Sequence, residues 1–277
     1  MKVKKPTTPG QRGMITHDYS ILTRKKRERK LVGPLKEKAG RNKKGRITVR
    51  HRGGGEKRAY RKINFGQEII DIPAKVKALE YDPNRSAFIM LLLYKNGEKR
   101  YRLSPEKIKL EDEIICKEDA QVKIGNRLKI KNIPVGTSIF NIEIIPGRGG
   151  KIVRSAGSWA QILSKEGVYA NIVLPSKEIR KIFQENYATV GIVSNPDHKT
   201  EVLGKAGRSR HRGRRPKVRG SAMNPVDHPH GGGEGRSPIG LKHPKTPTGK
   251  PALGVKTRKK GKFSNRFIIR KRKSKRR

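Results

Sequence analysis

The stretch AFIMLLLYKNGEKRYRL, residues 87–103, carries the clearest local signal for the fold. In this stretch, Asn96-Gly97 stands between two runs of β-prone residues. Asn-Gly readily supplies the positive φ angles of a two-residue hairpin turn. We therefore predict an antiparallel hairpin that turns at Asn96 and Gly97.

Short β-prone segments continue on both sides of this hairpin. AKVKALEYD (74–82) precedes it and alternates in part. Seven more segments follow, separated by Gly, Pro, Asn and Ser: EIIC, RLKI, TSIFNIEII, SWAQILS, VYANIVL, KEIRKIF and ATVGIVS. Many short strands with turn signals between them are typical of small barrels, and residues 63–201 are enough for two. We place the seam between them within NRLKIKNIPVG (126–136), near Ile133-Pro134.

One segment has the signals of a helix. In NPDHKTEVLGKAG (195–207), Asn195 could cap the helix and Pro196 suits its first turn. Gly204 or Gly207 could end it. We expect a short helix near 196–203.

Positive charge is concentrated at the two ends of the chain. The 277 residues include 69 Lys and Arg against 23 Asp and Glu, a net charge of +46. Residues 1–62 hold 22 basic and 4 acidic side chains, residues 63–201 hold 22 and 17, and residues 202–277 hold 25 and 2. Such a distribution predicts a partner with dense negative charge.

A membrane is a poor candidate for that partner. The longest apolar run, AFIMLLL (87–93), is far shorter than the roughly 20 residues that cross a bilayer, and the basic stretches lack an apolar face. The N-terminus lacks the apolar middle region of a secretory signal, while Asp18 and Glu28 are unusual for an acid-poor transit peptide. We expect the cytosol, and the single cysteine, Cys116, agrees with a reducing compartment.

The basic ends have too few apolar residues to fold alone. KAGRSRHRGRRPKVRG (205–220) has eight basic residues, no acidic residue and two aliphatic residues besides glycine. TRKKRERK (23–30) and GKFSNRFIIRKRKSKRR (261–277) are similar. We expect these segments to be disordered in isolation and ordered against a polyanion. Binding should weaken steeply with salt, because each neutralised phosphate releases a counterion.

Glycine interleaved with arginine favours folded RNA as the polyanion. In RHRGGGEKRAYR (50–61) and RHRGRRPKVRG (210–220), glycine allows a close backbone approach while arginine binds phosphates or stacks on bases. No helix has the regular basic face of a major-groove reader. A DNA compactor remains possible on charge alone, although such proteins more typically have lysine-alanine-proline repeats.

The segment NPVDHPHGGGEG (224–235) invites a catalytic or a metal-binding interpretation. Asp227 and His228 are adjacent, so their side chains usually diverge, and no nucleophile is identifiable as their partner. His228 and His230 could bind zinc with Asp227 or Glu234, but the common HxxxH and CxxC spacings are absent. The remaining interpretation is a shaped loop: three glycines exclude regular structure, two prolines stiffen it, and histidine can contact bases or phosphates.

Six blocks, in order along almost the whole chain, resemble the universal large-subunit ribosomal protein number two family of bacterial type. They are GRITVRHRGGGEKRAYR (45–61), EYDPNRSA (80–87), NIPVGT (132–137), RSAG (154–157), VLGKAG (202–207) and SAMNPVDHPHGGGEGRSPIG (221–240). The last block is highly specific.

The resemblance implies a mainly β fold, in which an OB-type five-stranded barrel precedes an SH3-like barrel and long basic irregular extensions flank both. We assign 1–62 to the N-terminal extension, 63–130 to the OB-type barrel, 131–201 to the SH3-like barrel and 202–277 to the C-terminal extension. The resemblance further implies that the protein is a structural constituent of the large ribosomal subunit and a primary binder of 23S-type rRNA. The implied roles of the protein are in subunit association through an intersubunit bridge, in tRNA binding and in support of the peptidyl transferase region, and the protein is not itself the catalyst.

We predict rRNA contacts in the two glycine-arginine segments. The resemblance implies further contacts in and around the loop NPVDHPHGGGEG (224–235). The predicted residues are Arg50, His51, Arg52, Gly53, Gly54, Gly55, Lys57, Arg58, Arg61, Arg208, Arg210, His211, Arg212, Arg214, Arg215, Lys217, Arg219, Met223, Asn224, Asp227, His228, His230, Gly231, Gly232, Gly233, Glu234 and Arg236.

The expected partners are large-subunit rRNA, small-subunit rRNA across the bridge, and neighbouring ribosomal proteins. We expect no membrane, no homo-oligomer, no catalytic residue and no cofactor or metal of the protein's own, although rRNA-bound Mg²⁺ could lie nearby. The expected location is the ribosome of a bacterial cytoplasm, with a plastid stroma as the alternative.

Three residues outside these segments call for separate interpretation. We expect Trp159 to pack in a barrel more readily than to serve as a platform for a base, and Cys116 to be buried in a barrel. Thr248 stands where many bacterial relatives have tryptophan, so it cannot supply a stacking ring there.

Overall fold

The predicted short strands form, and most of the regular structure is antiparallel sheet. In this computed structural model, which describes residues 1–66 and 69–272, the strands are β1 (Lys2–Val3), β2 (Ile15–Thr16), β3 (Val32–Pro34), β4 (Ala59–Arg61), β5 (Ala74–Glu80), β6 (Ile89–Tyr94), β7 (Lys99–Leu103), β8 (Glu113–Ile114), β9 (Arg127–Lys129), β10 (Ser138–Phe140), β11 (Ala160–Glu166), β12 (Tyr169–Val173), β13 (Ile179–Phe183), β14 (Tyr187–Val190) and β15 (Ile268–Arg270). The predicted mainly β, barrel-type fold class is confirmed.

The chain divides into two units, which we call the barrel unit and the basic unit. The barrel unit comprises Met1–Lys36, Lys57–Lys205 and the chain from Ser264 onward. The basic unit comprises Glu37–Glu56 and Ala206–Phe263, and joins two segments that are far apart in sequence.

The first sheet of the barrel unit has four strands in the order β7-β6-β5-β8, and Ile63 adds a parallel bridge at Tyr101. β6 is apolar throughout because both of its faces are covered. Met90 and Leu92 pack in one cluster, and Ile89 and Leu91 pack in another on the opposite face. This alternation explains why an unbroken apolar run is a strand here.

The predicted hairpin forms with a different turn. Gly97 has φ +81° and donates its N–H to Tyr94 O, while Tyr94 donates to Glu98 O. Lys95, Asn96 and Gly97 therefore make a three-residue loop, with glycine alone in the left-handed region. The two-residue turn was wrong because a single positive φ, at Gly97, closes this connection.

The second sheet has the order β15-β13-β12-β11-β10-β14-β9, with its neighbours antiparallel. Its core includes Leu128, Ile139, Ile162 and Ile172, all of them fully buried. β9 pairs with β14 in this sheet, so the chain passes from one sheet to the other between Ile114 and Arg127. That change of sheet lies before the seam near Ile133-Pro134 and before the 130/131 boundary that we assign from sequence.

Two of the six sequence blocks meet where the two sheets adjoin. Ser86, in EYDPNRSA, accepts a hydrogen bond from the backbone N–H of Ala156, in RSAG, at 3.1 Å. The carbonyl of Ser86 accepts another from the Asn195 side chain at 2.8 Å. At Gly157 a Cβ would lie 2.6 Å from the Cα of Pro196, so only glycine fits that approach. These blocks are therefore explained by packing within the barrel unit.

The predicted helix begins at Pro196, as expected, but it is shorter and lacks the predicted side-chain cap. A 3₁₀ helix occupies Pro196–Thr200, and the α-helix α1 follows at Ala206–His211. Asn195 precedes the 3₁₀ helix with φ 63°, but its side chain makes no capping hydrogen bond. The predicted cap is wrong because the Asn195 amide donates to Ser86 O instead. Short 3₁₀ helices also lie at Arg29–Leu31, Ile130–Asn132, Gly220–Ala222 and Phe263–Phe267.

The basic unit has no hydrophobic core. Within 37–56 and 206–263, all of which the structure describes, no hydrophobic side chain is buried, and His228 is the buried side chain. The same residues include 23 Lys and Arg against four Asp and Glu. Backbone hydrogen bonds and close glycine contacts hold this unit together.

Among the described residues, none of the helices has the length and hydropathy of a membrane span. The predicted disorder of the last residues of the chain falls partly on 273–277, which lie outside the described residues.

Candidate RNA interface

The two predicted glycine-arginine segments lie side by side in the basic unit. Arg52 and Arg214 form an antiparallel bridge. Gly53 donates its N–H to Gly213 O at 2.9 Å, and Glu56 donates to His211 O at 2.9 Å. Both segments are predicted from sequence to bind RNA, but no sequence pattern indicates that they pair with each other.

Glycine makes this pairing possible at two positions. Gly213, with φ +79°, ends α1: it donates to Arg210 O, and Arg214 donates to Ser209 O, a Schellman arrangement. Opposite it, a Cβ on Gly55 would lie 2.7 Å from the backbone nitrogen of Gly213. The two backbones can therefore approach closely because Gly55 has no side chain, while Gly213 supplies the left-handed conformation that ends α1.

The basic side chains around this junction are mostly exposed. His51 is half-buried and has φ 61°. Arg208 and Arg210 on α1 are also half-buried. The exposed members of the predicted set are Arg50, Arg52, His211, Arg212, Arg214, Arg215, Lys217, Arg219 and Arg236. Exposed guanidinium groups around a fixed backbone are suited to phosphate binding.

Three further predicted contacts, Lys57, Arg58 and Arg61, belong to the barrel unit. Lys57 is exposed, but Arg58 donates through Nη1 to Pro83 O at 3.0 Å. Arg61 is 9% exposed, and its Nη1 lies 3.7 Å from a carboxylate oxygen of the fully buried Asp82. This position gives Arg61 a role inside the barrel unit, beside the ion pair between Asp82 and Arg85.

The loop from Gly220 to Gly235 is folded around backbone carbonyls. Asn224 O accepts hydrogen bonds from Asp227 N at 3.0 Å and from His228 N at 3.2 Å, and Met223 O accepts one from Gly232 N at 3.0 Å. At Gly231 a Cβ would overlap the backbone of Asn224. Gly232 and Gly233 have φ of 86° and 87°, a region that other residues rarely adopt. The predicted shape-determining role of the glycines is thus visible in the geometry.

The two loop histidines are held by backbone donors. His228 Nδ1 accepts a hydrogen bond from His230 N at 3.0 Å, and His230 Nε2 accepts one from Lys245 N at 2.8 Å. A backbone N–H only donates, so each accepting nitrogen holds a lone pair and both rings are neutral in this arrangement. Burial, followed by the electrostatic influence of His230 and Arg50, lowers the pKa of His228.

The acidic residues of the loop stand apart from this arrangement. Asp227 and Glu234 are exposed, whereas His228 is 7% exposed against Gly220. Among the described residues, only one group of three or more possible metal ligands is gathered closely, and it lies in the barrel unit. The loop does not bring Asp227, His228, His230 and Glu234 together in that way.

Thr248 lies in a small turn near the end of the basic unit. Lys245 and Pro251 form an antiparallel bridge, and Thr246 N donates to Lys250 O at 2.7 Å. The Thr248 hydroxyl lies 3.0 Å from that of Thr246. Thr248 therefore takes part in the turn through its hydroxyl group.

Sequence reasoning missed a polar pocket of about 410 Å³ on the barrel unit. It is lined by Ile63, Phe65, Gly66, Gly147, Arg148, Gly149, Gly150, Lys151 and Arg154. Arg154 stacks over Phe65 with 4.4 Å from its guanidinium carbon to the ring centroid. Only the run GRGGK (147–151) could have signalled it, because it repeats the glycine-arginine pattern of the extensions.

Two expectations about single residues have different outcomes. Cys116 is 1% exposed, as predicted, and burial raises the pKa of its thiol. Trp159 was predicted to pack in a barrel, but it is 43% exposed. It precedes β11, where the alternation turns Ala160 and Ile162 inward and leaves the tryptophan at the surface.

Two family models match the chain in consecutive regions. One is described as Ribosomal Proteins L2, RNA binding N-terminal domain, and matches residues 28–116. The other is described as Ribosomal Proteins L2, C-terminal domain, and matches residues 123–249. The first match ends and the second begins in the segment where the chain changes sheet, and together they span well over half of the sequence. The chain therefore belongs to the ribosomal protein L2 family, whose members are structural, RNA-binding proteins of the ribosome.

Proposed function

We propose that the protein is a primary binder of large-subunit rRNA whose basic unit takes its fixed shape on that RNA. In this role it supports subunit association through an intersubunit bridge, tRNA binding and the peptidyl transferase region. The observation that carries the proposal is the basic unit itself. Two distant glycine-arginine segments pair there without burying a hydrophobic side chain.

The energetics of the basic unit favour a polyanion as its missing partner. With 23 basic and four acidic residues, the unit repels itself, and it has no apolar core to oppose that repulsion. Phosphates would neutralise the charge and release counterions. The Gly55–Gly213 junction presents irregular backbone rather than a helix, which suits the uneven grooves of folded RNA better than duplex DNA.

The geometry of the histidine loop supports a structural role over a catalytic one. A general base needs an available lone pair, but one nitrogen of each ring accepts a backbone hydrogen bond and the other carries the proton. The loop is thus built to keep its shape, and we propose that it inserts into RNA near the peptidyl transferase region.

The barrel unit supplies a second candidate surface. Arg148, Lys151 and Arg154 line the polar pocket, and Trp159 offers an exposed ring. Arginine and lysine bind phosphates and tryptophan stacks on bases. We propose that these groups contact rRNA together with the basic unit.

We propose the remaining partners from family membership and charge. They are neighbouring ribosomal proteins and small-subunit rRNA across the bridge, in a cytoplasmic ribosome of bacterial type. Mg²⁺ would accompany the rRNA as its counterion, and neither a homo-oligomer nor a membrane forms part of the proposal.

Competition between nucleic acids tests the proposal directly. The full-length protein is titrated with large-subunit rRNA and with duplex DNA of equal phosphate content, across a series of salt concentrations. We expect a clear preference for the rRNA at every salt concentration. Equal affinities at matched salt would reduce the protein to a general polyanion binder.

A matched pair of glycine variants tests whether the contact between Gly55 and Gly213 contributes to rRNA binding. Gly55→Ala places a methyl group against Gly213, whereas Gly261→Ala meets nothing within 4 Å. We expect Gly55→Ala to weaken rRNA binding by about tenfold, the order of a single close backbone conflict of ~1.4 kcal/mol, and Gly261→Ala to have no effect. If both variants bind rRNA with equal affinity, the contact between Gly55 and Gly213 is not part of the RNA-binding surface.

Ribosome assays test the finer roles. Large subunits assembled without the protein should associate poorly with small subunits and bind tRNA poorly, and adding the protein back should restore both. We expect the isolated protein to show no peptidyl transfer. Turnover by the isolated chain that disappears in His230→Ala would instead make it an enzyme.

A further inference from the structure

A cluster of three metal-ligating side chains lies in the barrel unit, away from the loop that first suggested a metal. His17 Nε2 lies 3.0 Å from His198 Nδ1 and 3.6 Å from Glu201 Oε2. The three ligand atoms all lie within 4.8 Å of one another. His17 is 7% exposed, and the Glu201 side chain is 9% exposed.

The fold fixes this cluster from two directions. His198 belongs to the 3₁₀ helix Pro196–Thr200 and Glu201 follows it directly, so their i, i+3 spacing places them on one face. His17 arrives from β2, where Ile15 exchanges both backbone hydrogen bonds with Val202, at 3.1 and 3.0 Å. The N-terminal segment and the segment leaving the second sheet therefore meet at these three side chains.

Two possible ligand atoms compete for one nitrogen of His17. One imidazole nitrogen has either one proton or one lone pair, yet His17 Nε2 faces both His198 and Glu201. At 3.6 Å the carboxylate lies beyond normal hydrogen-bond length. The imidazole rings of His17 and His198 are stacked, with centroids 5.0 Å apart and planes 7° from parallel. A single cation between the three atoms could accept a lone pair from each of them.

We propose that His17, His198 and Glu201 form a Zn²⁺ site, with a water molecule as the fourth ligand. Two imidazoles and one carboxylate are a donor set that suits zinc, whereas magnesium and calcium prefer oxygen ligands. Zinc bonds of about 2.0–2.1 Å in a tetrahedron place ligand atoms about 3.3 Å apart. The distances of 3.0 and 3.6 Å bracket that value.

The site has a structural consequence that is separate from RNA binding. The ion joins residue 17 to residues 198 and 201, and so fastens the N-terminal strand pair to the end of the second sheet. Metal binding to the native state alone stabilises it in proportion to the logarithm of the free metal concentration. The chain from Met1 to Thr16 should therefore be held more firmly when zinc is present.

Metal retention by the full-length protein tests the proposal. Nucleic-acid-free protein is stripped with a chelator, incubated with Zn²⁺ alone, passed through a desalting column and assayed for metal by mass spectrometry. We expect one zinc per chain and a rise in the thermal transition temperature. Cobalt in place of zinc should give the strong visible absorption of a four-coordinate site. Loss of all zinc on the column would overturn the proposal.

Variants locate the ion. Glu201→Gln keeps the size of the side chain and His198→Ala removes a half-buried ring, so both leave the barrel core intact, unlike the more buried His17→Ala. We expect each to weaken zinc binding by about tenfold or more and to abolish both the thermal shift and the cobalt spectrum. His243→Ala, at an exposed histidine outside the cluster, should change nothing. Zinc retained in full by Glu201→Gln and His198→Ala, or lost only in His228→Ala/His230→Ala, would place the ion elsewhere and refute the site.

Discussion

The guanidinium of Arg127 lies 3.2 Å from the carboxylate of Glu143, and both residues are almost completely buried, at 1% and 0% exposure. Arg127 also donates to Asn141 O at 2.8 Å, and Glu143 accepts from Tyr187 N at 3.1 Å. The pair thus connects β9, the segment after β10, and β14. Burial lowers the pKa of Arg127 while the charge of Glu143 opposes that effect, and the guanidinium stays charged at neutral pH.

Removing the charge of Glu143 should destabilise the barrel unit strongly. Glu143→Gln leaves a buried guanidinium without its counter-charge, so we expect a loss of about 3–5 kcal/mol in the free energy of unfolding. Lys129→Met removes a half-buried cation that pairs with the more exposed carboxylates of Glu118 and Glu185, and should cost below about 1 kcal/mol. Denaturant unfolding measures both. Equal losses would mean that burial does not distinguish the two pairs.

The contact between Gly220 and His228 should be essential for the shape of the loop. A Cβ on Gly220 would overlap the His228 ring, whereas Gly207→Ala meets nothing within 4 Å. We expect Gly220→Ala to displace His228 and to weaken binding to large-subunit rRNA by about tenfold, or ~1.4 kcal/mol, with Gly207→Ala close to wild type. The rRNA titration in low salt measures both. Wild-type affinity for Gly220→Ala would show that His228 does not set the RNA-binding shape.

The protonation of His228 should open the loop at acidic pH. Its pKa is lowered in the folded loop by burial and by nearby positive charge, so the folded form binds the proton less readily than the unfolded form. The loop is therefore fully stabilised above the unfolded value of 6.5, and loses stability as the pH falls through 6.5 toward the lower folded value. Amide exchange at His230 and Gly231 in the rRNA complex, corrected for intrinsic rates, should show weaker protection at pH 5.5 than at pH 7.5.

His228→Asn is the control for this pH effect. The asparagine carbonyl takes the place of Nδ1 as acceptor for His230 N and does not titrate in this range. We expect the loop of this variant to keep the same protection at both pH values. If the variant retains the wild-type pH dependence, another group is responsible.

The sequence predicts the strands well because their signals are local. β6 and β7 are apparent from the run around Leu91 and from Asn96-Gly97, and each of the later β-prone segments contains a strand. The sequence does not predict where one sheet ends and the next begins. β9 joins the second sheet because it pairs with β14, about 60 residues later in the chain. The Asn195 cap fails for the same reason, because a tertiary partner, Ser86, takes its side chain.

The candidate RNA interface likewise combines features that the sequence predicts with contacts that it does not. Composition alone identifies both glycine-arginine segments, but no local pattern shows that Gly55 would meet Gly213, or that Arg61 would turn inward to Asp82. The prediction that Trp159 packs in a barrel is wrong because a single aromatic residue before a strand has no periodicity that indicates which face of the sheet it lies on. Contacts between residues far apart in sequence have to be observed.

The C-terminal end contributes a strand to the barrel unit, so its removal should lower stability without abolishing the fold. β15 pairs with β13, and Phe267 lies against Tyr169 with ring centroids 6.2 Å apart. We expect a chain lacking 205–277 to keep a cooperative thermal transition at a lower temperature, and to lose stable incorporation into ribosomes. Phe267→Ala in the full chain should reproduce part of the thermal effect, about 1–2 kcal/mol. Absence of a transition in the truncated chain would show that the rest of the barrel unit cannot fold without residues 205–277.

Hydrogen exchange of the free protein should separate the two units. Amides of the barrel unit, such as those of β6 between buried Leu91 and Leu92, open only with unfolding of the core and should exchange slowly. Amides of the basic unit, such as Gly53 and Gly213, are hydrogen-bonded but have no buried hydrophobic side chain around them to oppose opening, so we expect fast exchange at modest ionic strength. Adding large-subunit rRNA should slow exchange at Gly53 and Gly213 by orders of magnitude and leave β6 unchanged, because the phosphates supply the neutralisation that the unit lacks. Slow exchange at Gly53 and Gly213 without RNA would contradict the proposal, since backbone contacts alone would then be enough to hold the basic unit.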